Sequence, residues 1–224
     1  MKEAIQTLLT SDKMAHAFEY LKQDEAHTID QQIELVQISS FSPFEEKRAI
    51  RFKELLTEAG LDPVMDEVHN VYAHIHGTGN GPTLYVSAHL DTVFPPETPL
   101  PVKREGTKIY APGIGDDTRG LAEILTLARA IKESGLKPVG DIIIGGNVGE
   151  EGLGDLRGMR HFFSKNADKV DGFISVDGAG CLICHGGTGS HLRGNLPRTG
   201  GTFLRCLRSC KPDLCHGARY LLYL

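Results

Sequence analysis

The stretch TLYVSAHL, residues 83–90, constrains the fold more than any other part of the chain. It is apolar almost throughout instead of alternating, which is the pattern of a strand covered on both faces. GDIIIGGNV (140–148) reads the same way, and VDGFISVDG (170–178) as a third strand. Between them lie helical patterns. DDTRGLAEILTLARAIKESG (116–135) has apolar residues at helical spacing from Leu121 to Ile131 and a stop at Gly135, and DLRGMRHFFSKNA (155–167) reads as a helix. Upstream, SPFEEKRAIRFKELLTEAG predicts a helix capped by Ser42, with Pro43 at its first position and Gly60 ending it. TIDQQIELVQISS predicts another, capped by Thr28 or Asp30, and NVYAHIHG alternates like a half-buried strand before the turn GTGNGP. Strands alternating with helices of this length imply an α/β fold, a three-layer sandwich around a mostly parallel sheet. In such sheets chemistry gathers at the carboxyl ends of the strands.

Each of those ends carries the same kind of residue. The strand of residues 83–88 runs into His89 and Asp91, and a glycine-rich turn places Asp116 and Asp117 just before a helix. The strand 140–148 leads into Glu150 and Glu151, and the strand 173–176 into Asp177. Taken singly, each has a bland explanation: a capped histidine, an N-capping aspartate pair, a polar glycine loop. Jointly, one imidazole and several carboxylates at successive strand ends suit a zinc-type divalent cation with nitrogen and oxygen ligands. Asp91 stands where a carboxylate orients the ring of a ligating histidine.

Composition argues against several other classes. The net charge of −5 gives no reason to expect a nucleic-acid partner, and no apolar run reaches the roughly 18 residues of a membrane span. The start, MKEAIQTLLTSDK, lacks a secretory pattern, so a cytoplasmic location is the default expectation. The charge is unevenly spread. From His191 onward five arginines and one lysine face a single acid, Asp213, a balance of +5, and residues 1–190 carry −10. All five cysteines (Cys181, Cys184, Cys206, Cys210 and Cys215) fall in the last 44 residues.

In combination, SAHLDTVFP, GIGDDTRGLA, NVGEEGLGD and SVDGAG resemble the dinuclear-zinc exopeptidase and aminoacylase family, which includes peptidase T, glutamate carboxypeptidase and acetylornithine deacetylase. The resemblance runs from about residue 28 to His191. It implies a catalytic domain that hydrolyses a peptide or N-acyl amide bond of a small substrate, with two zinc ions per complete site, or cobalt or manganese in their place. His89 then matches a ligand of one metal and Asp91 its orienting acid. Asp116 matches the aspartate bridging both metals, joined to Asp117 by a cis peptide. Glu150 matches the general base, Glu151 a ligand of the second metal, and Asp177 a further ligand of the first. Arg119 stands where the family usually has a lysine.

The resemblance also divides the chain into an N-terminal helical segment (1–27), a partial catalytic domain (28–191) and a basic, cysteine-rich tail (192–224). Family members insert a lid and dimerisation domain and later supply a further histidine to the second metal; neither is found after GGTGSH in this sequence. The expectation is a chain truncated after His191 by a change of reading frame near Leu192, since codons for Leu192–Arg208 can be chosen so that a one-nucleotide deletion restores a GPGGHS lid motif. It follows that the second metal binds weakly, turnover is impaired, and the family's usual homodimer is not assured. Three other readings compete: a catalytically inactive metal-binding remnant or binding protein, a tail that holds zinc through Cys206, Cys210, Cys215 and His216, and a nucleotide-binding α/β domain. The last lacks the G-x-G-x-x-G spacing.

Overall fold

The computed structural model describes residues 7–177. The tail from 192, the five cysteines and the domain boundary at His191 lie outside the described residues.

Ahead of the strands come the helices α1 (Asp12–Gln23), α2 (Glu25–Val36) and α3 (Glu46–Glu58). The Ser11 hydroxyl caps α1 by accepting from the Met14 N–H. Neither Thr28 nor Asp30 caps α2, which begins earlier, at Glu25. Thr28 lies inside the helix, where its hydroxyl donates to the Asp24 carboxylate. Nor does Ser42 cap α3. Its hydroxyl accepts from Arg157, the Ser42–Pro43 bond is cis, and the helix starts three residues later behind Glu45. Gly60 ends α3 as expected, with φ +84°, a conformation that glycine adopts without strain.

The strands follow: β1 (Val64–Met65), β2 (Val71–Ile75), β3 (Leu84–His89), the short pair β4 (Lys103–Glu105) and β5 (Lys108–Tyr110), then α4 (Thr118–Glu133), β6 (Ile142–Asn147), α5 (Arg157–Asn166) and β7 (Gly172–Ser175). Five strands form one sheet in the order β1-β2-β6-β3-β7. β6, β3 and β7 run parallel, with Leu84 level with Ile142 and Gly172, whereas β2 runs antiparallel to β6 and β1 to β2. The sheet is thus parallel at its functional centre and mixed as a whole. The β4–β5 ribbon was not foreseen, because its residues are mostly polar and exposed and carry no burial pattern.

Period-two alternation sorts the strand side chains into two cores. Val71, Val86, Ala88 and Ile144 pack with Phe52, Leu55 and Leu56 of α3 and Leu121, Ile124 and Leu125 of α4. Tyr85, Ile143 and Phe173 face the other way, onto Met159 and Phe162 of α5. The result is the expected helix–sheet–helix sandwich. Each fully buried leucine or phenylalanine contributes about 1.5–3 kcal/mol. Two crossovers leave this arrangement: β3 reaches β6 through α4 on one face, and β6 reaches β7 through α5 on the other. The carboxyl ends of β6, β3 and β7 therefore lie side by side. Gly146 makes the approach possible, since a Cβ there would sit 2.9 Å from Cγ of Leu90, the residue between His89 and Asp91.

Candidate functional site

His89 is the last residue of β3 and only 2% exposed. Its Nε2 lies 2.8 Å from Oδ1 of Asp116, and its Nδ1 lies 3.0 Å from the Asp91 carbonyl and 3.6 Å from Oδ1 of Asp91. Asp91 thus meets the ring through backbone and carboxylate together. Its carboxylate does something further: Oδ1 accepts the Glu150 N–H at 3.0 Å and Oδ2 the Glu151 N–H at 2.8 Å. One buried acid therefore fixes the imidazole and the backbone of both glutamates.

The aspartate pair is split between two tasks. Asp116 and Asp117 are joined by a cis peptide, as the resemblance implies. Asp116 is turned to the imidazole. Asp117 caps α4, accepting from the Gly120 N–H, and its other oxygen accepts from the His89 N–H, both at 3.0 Å. The N-cap reading of this dipeptide holds for Asp117, which leaves the Asp116 carboxylate turned toward the imidazole.

The six residues proposed from the sequence come together at one end of the sheet. Two sets could each hold a cation: His89 with Asp116 and Asp177, and His89 with Glu150 and Glu151, the candidate donor atoms of each set lying within 4.8 Å of one another. The donors are imidazole nitrogen and carboxylate oxygen, which fit a zinc-type ion. A third set, Asp66, Glu67 and His161, lies elsewhere and was not anticipated. There Glu67 already pairs with Lys165, and Asp66 accepts from Val68 and Asn70.

Protonation equilibria reveal how crowded this end is. Burial drives the Glu150 carboxyl up to about 7, and Asp177, Glu151 and Asp91 push it the same way against the pull of His89. Glu151 is raised by burial and by Asp116, and Asp117 is raised well above the carboxylate range by burial, with Asp177 adding to it. Burial alone would depress His89, but Asp116, Asp91 and Asp117 outweigh it and hold the imidazole well above its usual value. Asp116 is lowered by its hydrogen bond to His89. Asp91 is pushed up by burial but ends lowered, held by His89 and by the two glutamate N–H groups. Six carboxylates around one imidazole form a site short of positive charge, which a divalent cation could supply.

Sequence reasoning missed two buried charges behind the site, and the partly exposed arginine that pairs with one of them. Arg48 is 1% exposed and donates to the carbonyls of Ile38 and Leu90; burial brings it down to about 10, opposed by Asp91. Glu45 is fully buried and paired with Arg157. A signal existed: Glu45 and Arg48 extend the helical stripe of Ala49, Phe52 and Leu56 toward the N-terminus of α3.

Fold and cluster together define an α/β scaffold with an imidazole–carboxylate site at the ends of its parallel strands. Its sequence is similar to a known family over part of its length: residues 85–194 match the profile of peptidase family M20/M25/M40. It is 38% identical over 110 residues to carboxypeptidase G2 of Pseudomonas sp. (strain RS-16), an alignment covering 48% of this chain and 26% of that protein. Among solved structures it resembles a Staphylococcus aureus tripeptidase (TM-score 0.52, 26% identity, 70% of this chain and 44% of that one). Aminopeptidase PepT from Bacillus cereus shares the fold (TM-score 0.58, 24% identity, 68% and 43%). The chain thus spans less than half the length of each. Among the described residues no helix is long and apolar enough to cross a membrane.

Proposed function

We propose that this site hydrolyses a peptide or N-acyl amide bond of a small substrate with the help of divalent cations, zinc in our reading. His89, Asp116 and Asp177 would hold one ion, and Asp116 and Glu151 would contribute to a second. When bound, such ions polarise the scissile carbonyl and make a water acidic enough to attack near neutral pH. Glu150 is left to move the proton. Its carboxylate accepts a proton from the attacking water as the new C–O bond forms, then delivers it to the amine nitrogen as the C–N bond breaks. Asp91 keeps the His89 ring and the Glu150 backbone in register.

The observation that carries this reading is the convergence of His89, Asp116, Glu150, Glu151 and Asp177 at adjacent strand ends, with Glu150 raised to about 7. That value matches the working pH of a general base. The names of the relatives favour peptide substrates.

The test is hydrolysis of a panel of di- and tripeptides and N-acyl amino acids by the zinc-loaded chain, beside its Glu150→Gln variant. A fall in kcat of about 10²–10⁴ with metal content unchanged is expected. Undiminished turnover by Glu150→Gln would remove Glu150 from the chemistry, and zinc uptake without hydrolysis of any substrate would mark a metal-binding protein instead.

A further inference from the structure

The segment carrying Glu150 and Glu151 leaves β6 and returns to α5 as a closed loop, with the Gly158 N–H donating to the Val148 carbonyl at 3.0 Å. Asn70 braces its base, accepting from the Val148 N–H and donating to the Gly158 carbonyl. Within this loop Gly149, with φ +67°, makes the bend immediately before Glu150.

Behind that bend stands a charged pair with no part in the chemistry proposed above. The Arg157 guanidinium lies against Gly149 so closely that a Cβ there would overlap it. One of its nitrogens donates to the Ser42 hydroxyl at 3.0 Å and another is ion-paired with Oε2 of Glu45. Glu45 is fully buried, and its Oε1 has no hydrogen-bond partner among the described residues. A carboxylate desolvated this completely depends on its counter-ion remaining in place, so Arg157 is confined to one position. Three residues along the same turn of α3, Arg48 donates to the carbonyl of Leu90, between His89 and Asp91. One helical turn therefore grips both sides of the site.

We propose that Glu45 and Arg157 form a positioning pair for the Glu150–Glu151 segment, fixing the Gly149 bend so that the Glu150 carboxylate faces His89. Neither residue is expected to touch substrate or metal. The consequence for turnover rests on the hydrolytic reading, whereas the hold on the loop does not.

The test compares the full chain with its Arg157→Met, Arg157→Lys and Glu45→Gln variants. In the metal-free proteins, hydrogen exchange at the Glu150 and Glu151 amides should quicken in Arg157→Met, while the Gly120 amide, held by Asp117, keeps its rate. Titration with cobalt(II) should show binding at the glutamate side weakened about tenfold. Turnover should fall through kcat with KM unchanged, and Arg157→Lys should recover part of each loss. Glu45→Gln keeps the shape and removes the charge, so it decides the matter if Arg157→Met does not fold. Unchanged exchange at Glu150 and Glu151, or a loss shared equally by Gly120, would overturn the proposal. If the parent chain hydrolyses nothing, the proposed function falls and the exchange comparison still decides this one.

Discussion

The two halves of the site are built by different means. His89 ends a strand that is buried from Tyr85 onward and hydrogen-bonded on both sides, by β6 and β7, and it inherits the rigidity of the sheet. Glu150 and Glu151 lie beyond the end of β6, where no strand ladder reaches them, and their backbone is held by side chains: Asp91 on one side, Arg157 behind. Secondary structure thus sets His89, the proposed first ligand, and a few charged side chains set Glu150, the proposed base. The ligand half should tolerate local change and yield only with the core, whereas the base half should respond to single polar substitutions.

The largest effect on stability is expected far from either half. Asp24, buried between α1 and α2, accepts from Arg129 and from the Thr126 hydroxyl at 2.7 Å. Asp24→Ala leaves the Arg129 charge buried without its partner and should cost about 3 kcal/mol of unfolding free energy by urea titration. Burial pushes the Asp24 carboxyl up, but Arg129 and Thr126 outweigh it and hold the pKa below the ordinary carboxylate value of 3.8. The stabilisation is therefore fully present above the unfolded-state value and is lost as the pH falls through the lower folded-state value. The gap between parent and variant should close below about pH 4. Equal destabilisation at neutral and strongly acidic pH would refute this.

Asp91→Ala sharpens the comparison directly, because it releases both glutamate amides and removes the carboxylate beside His89. A loss of about 10–100-fold in metal affinity is expected. Should affinity survive, the sheet alone positions both halves. The smallest effect should come from Arg119→Ala. Its 2.7 Å pair with Glu123 is half-exposed on α4, and its removal should change stability by about 0.5 kcal/mol or less. A larger loss would mean that this position supports the site directly.

What could be read in the sequence follows the same division. The apolar runs gave β3, β6 and β7 because burial on both faces leaves a continuous signature. The acids past their ends stood out because they interrupt it. Gly60 and Gly135 marked helix ends by the conformations they allow, φ +84° and +64°. The antiparallel placement of β2 beside β6 was not legible, since it depends on a partner some seventy residues away. Arg48 and Glu45 were hidden because a buried ion and a solvated one look alike in a string of letters. In FEEKR, only helical phase separates the buried Glu45 and Arg48 from Glu46 and Lys47.

The reach of Asp91 has a further consequence, for the order in which the molecule assembles. Its carboxylate accepts from backbone groups 59 and 60 residues ahead, so the base cannot take up its setting until α4 has folded and β6 has docked beside β3. Long-range closures of this kind come at the cost of chain entropy and arrive late in folding. The site is thus a recorder of completed sheet assembly: partly folded chains, though they already carry every residue of the motif, should bind metal no better than a collection of loose carboxylates.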